Sequence, residues 1–315
     1  MILKQFPDLA WIRKQSREGF ASRKAIHNIT LPHKGWPNVV LNARSYNTER
    51  NGITAPFSLF FNLKGSSTVI SEENESEVTP DTFSLVNSGA LFGLRIDDKQ
   101  PTETFNIHFG SKLFKESVHS FQHTHLELMD FPLAENTRLP HFFSGSRWLN
   151  PELRKEISAL YSFYRRREIP LFSDEEDMLL NNLILKILKH HTKEYSRLQS
   201  LSSLKKSTRL ELYKRLTVVI DYIHSNYNRK VLMDELSEAS LLSKYHMLHS
   251  FREAFNCTPH QYLMNIRLKK AEELLLTTNL EISEIADQTG FAEPNSFSRF
   301  FKNMKGVSPT VFRDN

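Results

Sequence analysis

From Pro294 to Gly306 the chain reads PNSFSRFFKNMKG, with three basic residues and no acidic one. Phe297, Phe300, Phe301 and Met304 follow the i, i+3, i+4, i+7 spacing of a helical stripe that packs inward. The opposite face then carries Asn295, Ser296, Ser298, Arg299 and Lys302. Such donors and acceptors suit the base edges and backbone of double-stranded DNA. The Arg299 guanidinium can pair bidentately with guanine O6 and N7, and the Asn295 amide can match adenine or help cap the helix. Asn295 and Ser296 fall in the first turn, where recognition helices meet base edges. Lys302 suits a phosphate, which fixes position without reading sequence. Solvated surface polarity is the plain alternative for each residue taken alone.

A second such face lies about fifty residues earlier. There Met247, Phe251, Ala254 and Phe255 point inward, and Lys244, Tyr245, Leu248, His249 and Arg252 outward. Lys244 and Arg252 suit phosphates. His246, beside Met247, is expected to be structural, and Cys257 to be a small packing residue in a turn.

Two faces of this kind need elements to hold them, and the sequence repeats those elements. Met233, Leu236 and Leu242 match Ile282, Ile285 and Phe291 at an offset of 49. Met247, Ser250, Phe251 and Ala254 match Phe297, Phe300, Phe301 and Met304 at an offset of 50. Asn256 answers Gly306, both tolerant of the left-handed conformation that ends a helix, and Thr258-Pro259 answers Ser308-Pro309. Each unit is a short helix, a tight turn, a second helix and a stop, which is the helix-turn-helix plan. Between them a helix is expected from about Pro259 to Leu276, with Leu263, Ile266, Leu268, Ala271, Leu274 and Leu275 as its stripe. Eighteen residues span ~27 Å, a strut that suits two readers about one DNA turn apart, roughly 34 Å.

On these motifs, residues 209–315 resemble the DNA-binding domain of the AraC/XylS family of bacterial transcription regulators. The resemblance rests on Ile285-Ala286-x3-Gly290-Phe291, then Phe297-x-Arg299-x-Phe301-Lys302, then Gly306-x-Ser308-Pro309. It implies that Tyr245 and His249 contact bases or sugars. The first unit departs from the family pattern, with Ser237 and Leu241 in place of a small residue and a turn glycine. Leu241 is not expected to accept a positive φ, so a remodelled first turn is expected. Leu248 stands where a polar reader is common and would meet at most a thymine methyl. The resemblance further implies double-stranded promoter DNA and RNA polymerase as partners, a homodimer and a small-molecule effector. The front of the chain resembles the family's cupin-like sensor domain through its strand pattern, the Leu63-Lys64-Gly65 turn and the helical pair that follows.

With 315 residues, two domains are expected. Residues 36–110 read as short strands at Val39–Leu41, Phe57–Leu63, Ser67–Ser71, Phe83–Val86, Leu91–Ile96 and Thr104–Phe109. Turns separate them at Asn51-Gly52, Lys64–Ser66, Glu72–Asp81, Asn87–Gly89 and Asp97–Pro101, with the acidic run Glu72–Glu77 as a solvated loop. Helical spacing begins near Asn150, with Leu153, Ile157, Leu160, Tyr161 and Tyr164 as a stripe. A second helix opens at Ser173, which has capping-box spacing to Glu176, and runs through Met178, Leu179, Leu183, Ile187 and Leu188. Residues 196–208, rich in Ser and Lys, read as a linker. The expected fold is α+β. A cupin-like β domain with a helical dimerisation segment occupies 1–195 (helical part 150–195), and an all-α domain with two helix-turn-helix units joined by a linker helix occupies 209–315.

The net charge of +5 hints at nucleic acid only weakly, since residues 207–315 carry just +1. That near-neutrality disfavours a non-specific architectural DNA binder, which needs many phosphate contacts. No apolar run reaches the ~20 residues that span a bilayer, and Met1–Phe20 is too charged for a signal peptide. Cys257 is the single cysteine, so no intrachain disulfide and no cysteine zinc site can form. A reduced, cytoplasmic protein that contacts no membrane is expected. His108, His119, His123 and His125 do not make the ligand set of a metal cupin. A metal-dependent cupin enzyme fused to a DNA binder is therefore the weaker alternative, alongside an effector-independent DNA-binding protein. No metal, cofactor or catalytic residue is assigned. Trp36, Phe57, Phe60, Phe61, Phe83, Phe92, Phe105 and Phe109 form the core of the front domain or line an effector pocket.

Overall fold

The computed structural model describes residues 2–17, 25–26, 29–30, 35–71, 75–97, 101–130, 137–143, 145–166, 174–202 and 205–314, with backbone alone at 15–17, 25–26, 29–30 and 206. These fold as two compact units, Met1–Thr192 and Lys193–Asn315. The expected cap Ser173, and parts of the turns at 72–74 and 98–100, lie outside the described residues.

The first unit opens with β1 (Ile2–Leu3), α1 (Leu9–Arg17) and the small hairpin β2 (Ala25–Ile26) and β3 (Ile29–Thr30). Eight strands follow: β4 (Val39–Ser45), β5 (Thr48–Thr54), β6 (Ser58–Lys64), β7 (Ser67–Ser71), β8 (Glu75–Val78), β9 (Thr82–Val86), β10 (Leu91–Ile96) and β11 (Thr102–His108). Then come α2 (Ser111–Gln122), α3 (His125–Asp130), β12 (Ser146–Trp148), α4 (Pro151–Tyr164) and α5 (Asp174–Ser200). One sheet runs β1-β4-β11-β6-β9-β12 and the other β5-β10-β7-β8.

The six-stranded sheet is buried on both faces, so its central strands are almost continuously buried instead of alternating. Leu59, Phe61, Phe83, Phe105 and Ile107 meet α2, α4 and α5 through Phe114, Leu153, Ile157, Leu183 and Ile187. Phe60 and Val86 turn the other way, toward Ile53, Val69, Phe92 and Leu94 of the second sheet. Asn150 caps α4 by accepting from the Leu153 N–H at 2.9 Å, with Pro151 following in the first turn.

Several expectations are corrected here. The acidic run is partly strand, since Glu75–Val78 pairs with β7 at the sheet edge. Asn51-Gly52 is no hairpin turn. It lies inside β5 beside a register shift against β10, where Gly52 takes φ +65°. The reversal falls instead at Asn47, φ +33°. Met178 is exposed rather than part of the α5 stripe. Within 196–208, Ser196–Ser200 is the last turn of α5 and Lys206–Thr208 begins the next helix. Leu198 and Leu201 are buried, and Ser200 donates to the Glu253 carbonyl at 2.8 Å, so this stretch is packed into the second unit rather than loose.

Between the two sheets lies a cavity of about 60 Å³, walled mainly by apolar side chains. His108 lines it, and its Nδ1 lies 2.8 Å from Ser58 Oγ. Burial pushes the His108 imidazole down to about 4. The unfolded imidazole titrates near 6.5, so between the two values only the unfolded chain binds this proton. Stability is therefore lost as pH falls from about 6.5 to about 4, by roughly 3 kcal/mol at most. Replacing His108 by Gln should flatten that part of the urea-midpoint profile of the first unit. A slope unchanged by His108→Gln would contradict the assignment.

His123 Nδ1 lies 2.9 Å from the His119 carbonyl, and His119 Nδ1 lies 3.2 Å from Thr137 Oγ1. Among the described residues, no three His, Cys, Asp or Glu side chains gather as a metal site.

Candidate nucleic-acid interface

The second unit is helical throughout: α6 (Lys206–Asn226), α7 (Met233–Ser240), α8 (Lys244–Phe255), α9 (Pro259–Thr277), α10 (Ile282–Gln288), α11 (Pro294–Lys305) and α12 (Pro309–Asp314). Two helix pairs, α7–α8 and α10–α11, flank α9. Nineteen residues give α9 a length of ~28 Å. Leu263, Ile266, Leu268, Ala271 and Leu275 are buried on it, and Leu274 is half-buried.

The two pairs share their local bonding, residue for residue. Glu235 accepts from the Leu232 N–H at 2.7 Å, and Glu284 from the Glu281 N–H at 2.8 Å. These carboxylates each satisfy a backbone donor at the helix start, while the Leu232 and Glu281 side chains make no cap bond. Ser240 Oγ donates to the Leu236 carbonyl at 2.8 Å, and Thr289 Oγ1 to the Ile285 carbonyl at 2.6 Å. The Leu242 N–H bonds the Ser237 carbonyl at 3.2 Å, as the Phe291 N–H bonds Ala286 at 2.9 Å. Asn256 and Gly306 end the longer helices with φ +54° and +80°. Thr258 Oγ1 then caps α9 through the Gln261 N–H, and Ser308 Oγ accepts from the Val311 N–H.

The turns between the short and long helices differ. Gly290 has φ +79°, and a Cβ there would lie 2.5 Å from the Tyr227 carbonyl oxygen. Leu241 occupies the matching place and does take the left-handed conformation, φ +53° and ψ +36°, contrary to expectation. Three bonds hold it there: Ser237 Oγ to the Leu242 carbonyl at 2.5 Å, the Leu241 N–H to Glu238, and Arg215 to the Leu241 carbonyl at 2.9 Å. Its side chain is 77% exposed, so it gains little from packing. Leu241→Gly should therefore stabilise the second unit by ~1 kcal/mol. A lowered denaturation midpoint would show that the leucine is needed there.

On α11, Phe297 and Phe301 are fully buried, against Ile285, Ala286 and α9. Phe300 is half-buried beside Phe291, while Met304 is 50% exposed. The inward stripe therefore ends one turn earlier than its spacing suggests. Asn295, Ser296, Arg299 and Lys302 are exposed, and Ser298 is half-buried. Glu293 holds the N-cap position without a side-chain bond and Pro294 opens the helix, so Asn295 already lies within it. Arg299 and Lys302 make no ion pair with another described residue.

On α8, Met247, Ser250, Phe251 and Ala254 are buried, and Phe255 is half-buried. Lys244, Tyr245, His249 and Arg252 are exposed, and Leu248 is half-buried. Tyr245 is 82% exposed, its ring parallel to that of His249 at 6.3 Å. Lys244 pairs with Asp234, and His249 Nε2 lies 3.3 Å from Glu253. His246 is exposed, not structural; it lies in the first turn of α8, where its backbone N–H donates to the Ser243 cap. The face is thus wider than sequence spacing suggested. Cys257 is half-buried, and that burial raises its thiol pKa.

A helix-turn-helix domain model matches residues 236–315. The probable transcriptional regulator LumQ of Photobacterium leiognathi is 30% identical over 194 residues, covering 56% of this chain and 77% of that protein. The Msm operon regulatory protein of Streptococcus mutans is 33% identical over 91 residues, covering 29% of this chain and a third (33%) of its own length. Among solved structures, the C-terminal domain of the response regulator yesN from Fusobacterium nucleatum shares 33% identity. It covers 31% of this chain and 95% of that one, with a TM-score of 0.30. With the repeated helix pairs and a regulator matched over most of its length, the chain belongs to the AraC/XylS family of DNA-binding transcription regulators.

Proposed function

We propose that α7–α8 and α10–α11 are two helix-turn-helix units that read promoter DNA, with α11 as the main source of sequence preference. The observation that carries this is the state of the α11 face. Arg299 and Lys302 are exposed, unpaired among the described residues and mounted on a helix held from behind by Phe297 and Phe301. Arg299 is the base reader, Asn295, Ser296 and Ser298 line the same edge, and Lys302 takes a phosphate. On α8, Lys244 and His249 must first leave Asp234 and Glu253. Tyr245 and Arg252 are then the readiest contacts of that helix, and Leu248 offers an apolar one.

Arg299→Ala should relax preference at one base position and cost ~1–3 kcal/mol of binding, whereas Lys302→Ala should weaken all sequences alike and lower the salt slope by about 1. Competition titrations against single-base variants of a bound duplex separate the two. An Arg299→Ala protein with unchanged base preference would remove the residue from the reading role.

The first unit is the sensor in this reading, a cupin-like domain that takes a small-molecule effector in the cavity between its sheets. The cavity and the sandwich around it support that reading. Family membership supports the remaining expectations: a homodimer built on the helices at 150–195, contact with RNA polymerase, regulation in the cytoplasm and no catalysis of its own.

A further inference from the structure

The cavity between the sheets has a chemical polarity that the effector reading leaves open. Phe60, Phe92, Leu94, Ile53, Trp11 and Trp36 supply much of its apolar wall. Its polar lining is Arg50, Asn106 and His108. One Arg50 N–H donates to the Pro7 carbonyl at 2.6 Å, and the guanidinium lies over the Phe6 ring at 5.1 Å. Asn106 is different. It is 1% exposed, and its Nδ2 is buried with no hydrogen-bond partner among the described residues. A buried amide donor left unpaired is unfavourable, so a group that satisfies it binds with an advantage.

His108 stands two residues further along β11 and so shares the same face of the strand. Its protonation follows from its neighbour. Ser58 Oγ has a single hydrogen, which it donates to the Pro56 carbonyl at 2.9 Å. Toward His108 Nδ1, at 2.8 Å, the same oxygen can only accept. In the tautomer that lets Ser58 keep both bonds, the imidazole proton sits on Nδ1 and Nε2 is an acceptor. His108 keeps accessible surface although it is deep enough to be desolvated, which places that surface on the cavity.

We propose that the cavity takes a small, mainly apolar molecule whose uncharged polar end carries an acceptor for Asn106 Nδ2 beside a donor for His108 Nε2, as a primary carboxamide does. The inference rests on the first unit being the sensor. A carboxylate would satisfy Asn106 but set its negative oxygens against the His108 lone pair. A ketone would leave that lone pair without a donor.

Hexanamide, its isostere heptan-2-one and its charged counterpart hexanoate separate these cases. Trp11 and Trp36 in the wall make tryptophan fluorescence of the full chain the readout. Hexanamide should bind about ten-fold or more tighter than either other probe. In His108→Leu, which removes the acceptor that only the amide can use, the preference over heptan-2-one should fall to within about two-fold, with heptan-2-one binding retained as evidence of an intact fold. The proposal is overturned if hexanoate or heptan-2-one binds as tightly as hexanamide, if His108→Leu keeps the preference over heptan-2-one, or if no probe binds. The sensor reading fails separately. Hexanamide that binds with the stated preference but leaves the protein's affinity for its selected DNA unchanged would remove the effector role and leave the ligand class standing. Heptan-2-one that binds tightest and shifts DNA affinity would do the reverse.

Discussion

Gly290→Ala is expected to cost the second unit about 2–5 kcal/mol and to abolish DNA binding. Two penalties add. A side chain at positive φ costs ~1–2 kcal/mol, and forcing an extra carbon into a packed site typically costs ~1–3 kcal/mol. The site is closed by backbone as well as side chain: the added Cβ would meet the Tyr227 carbonyl at 2.5 Å, Arg267 at 2.7 Å and Asn228 at 2.9 Å. The arginine nitrogen is the one side-chain atom of the three, and it is held by the Arg229 carbonyl at 2.7 Å. The contrast with Leu241 is instructive, because the same turn position carries a left-handed leucine whose side chain is open to solvent. Handedness alone is tolerated there, whereas handedness plus close approach demands glycine at 290. The three tryptophans, Trp11, Trp36 and Trp148, all lie in the first unit. Their fluorescence transition should therefore stay in place while the helical circular dichroism signal melts earlier. A Gly290→Ala protein with wild-type helical stability would refute this packing.

Arg267→Leu is expected to destabilise the same unit by ~2–4 kcal/mol. Arg267 is buried on α9, and desolvation lowers its guanidinium pKa. Nε donates to the Tyr227 carbonyl at 2.8 Å and a terminal nitrogen to the Arg229 carbonyl at 2.7 Å, while the plane lies 5.5 Å over Phe291. One side chain thus ties α9 to the chain leaving α6 and to the turn before α11. Leucine fills the space but returns neither bond. Arg267→Lys should restore little, because a single ammonium cannot reach both carbonyls in the guanidinium's fixed fork. The double substitution with Gly290→Ala should cost less than the sum, since the new Cβ strikes the same guanidinium. Guanidinium chloride midpoints of the four proteins check this. Full stability in Arg267→Leu would contradict it.

The second unit was legible because its repeat writes each structural need twice. Apolar positions, capping acids and helix-ending Asn256 or Gly306 recur at a near-constant offset. The exposure of Arg299 was legible because no apolar role competes for it. Leu241 was not, since its strain is offset by Ser237 and Arg215, a tertiary arrangement invisible to local propensity. In the first unit, Ser67–Ser71 and Leu91–Ile96 show apolar runs and were placed correctly. β5 and β8 escaped notice because they are the edges of the four-stranded sheet, where TERNGIT and ESEV face solvent along much of their length. The stretch 196–208 looked like a linker by composition, yet Leu198 and Leu201 are buried and Ser200 bonds the Glu253 carbonyl. Asn106 and His108 carried no signal of their own, because an amide and an imidazole on a core strand usually find partners inside the protein.

The measurement that bears most directly on DNA reading is selection from a pool of random duplexes by the full chain, with Arg299→Ala run in parallel. Expected is one enriched motif with two blocks about a helical turn apart, roughly 34 Å, and the same motif from Arg299→Ala with a single guanine position relaxed. A pool that shows no enrichment, or an identical motif from both proteins, would contradict sequence reading through α11.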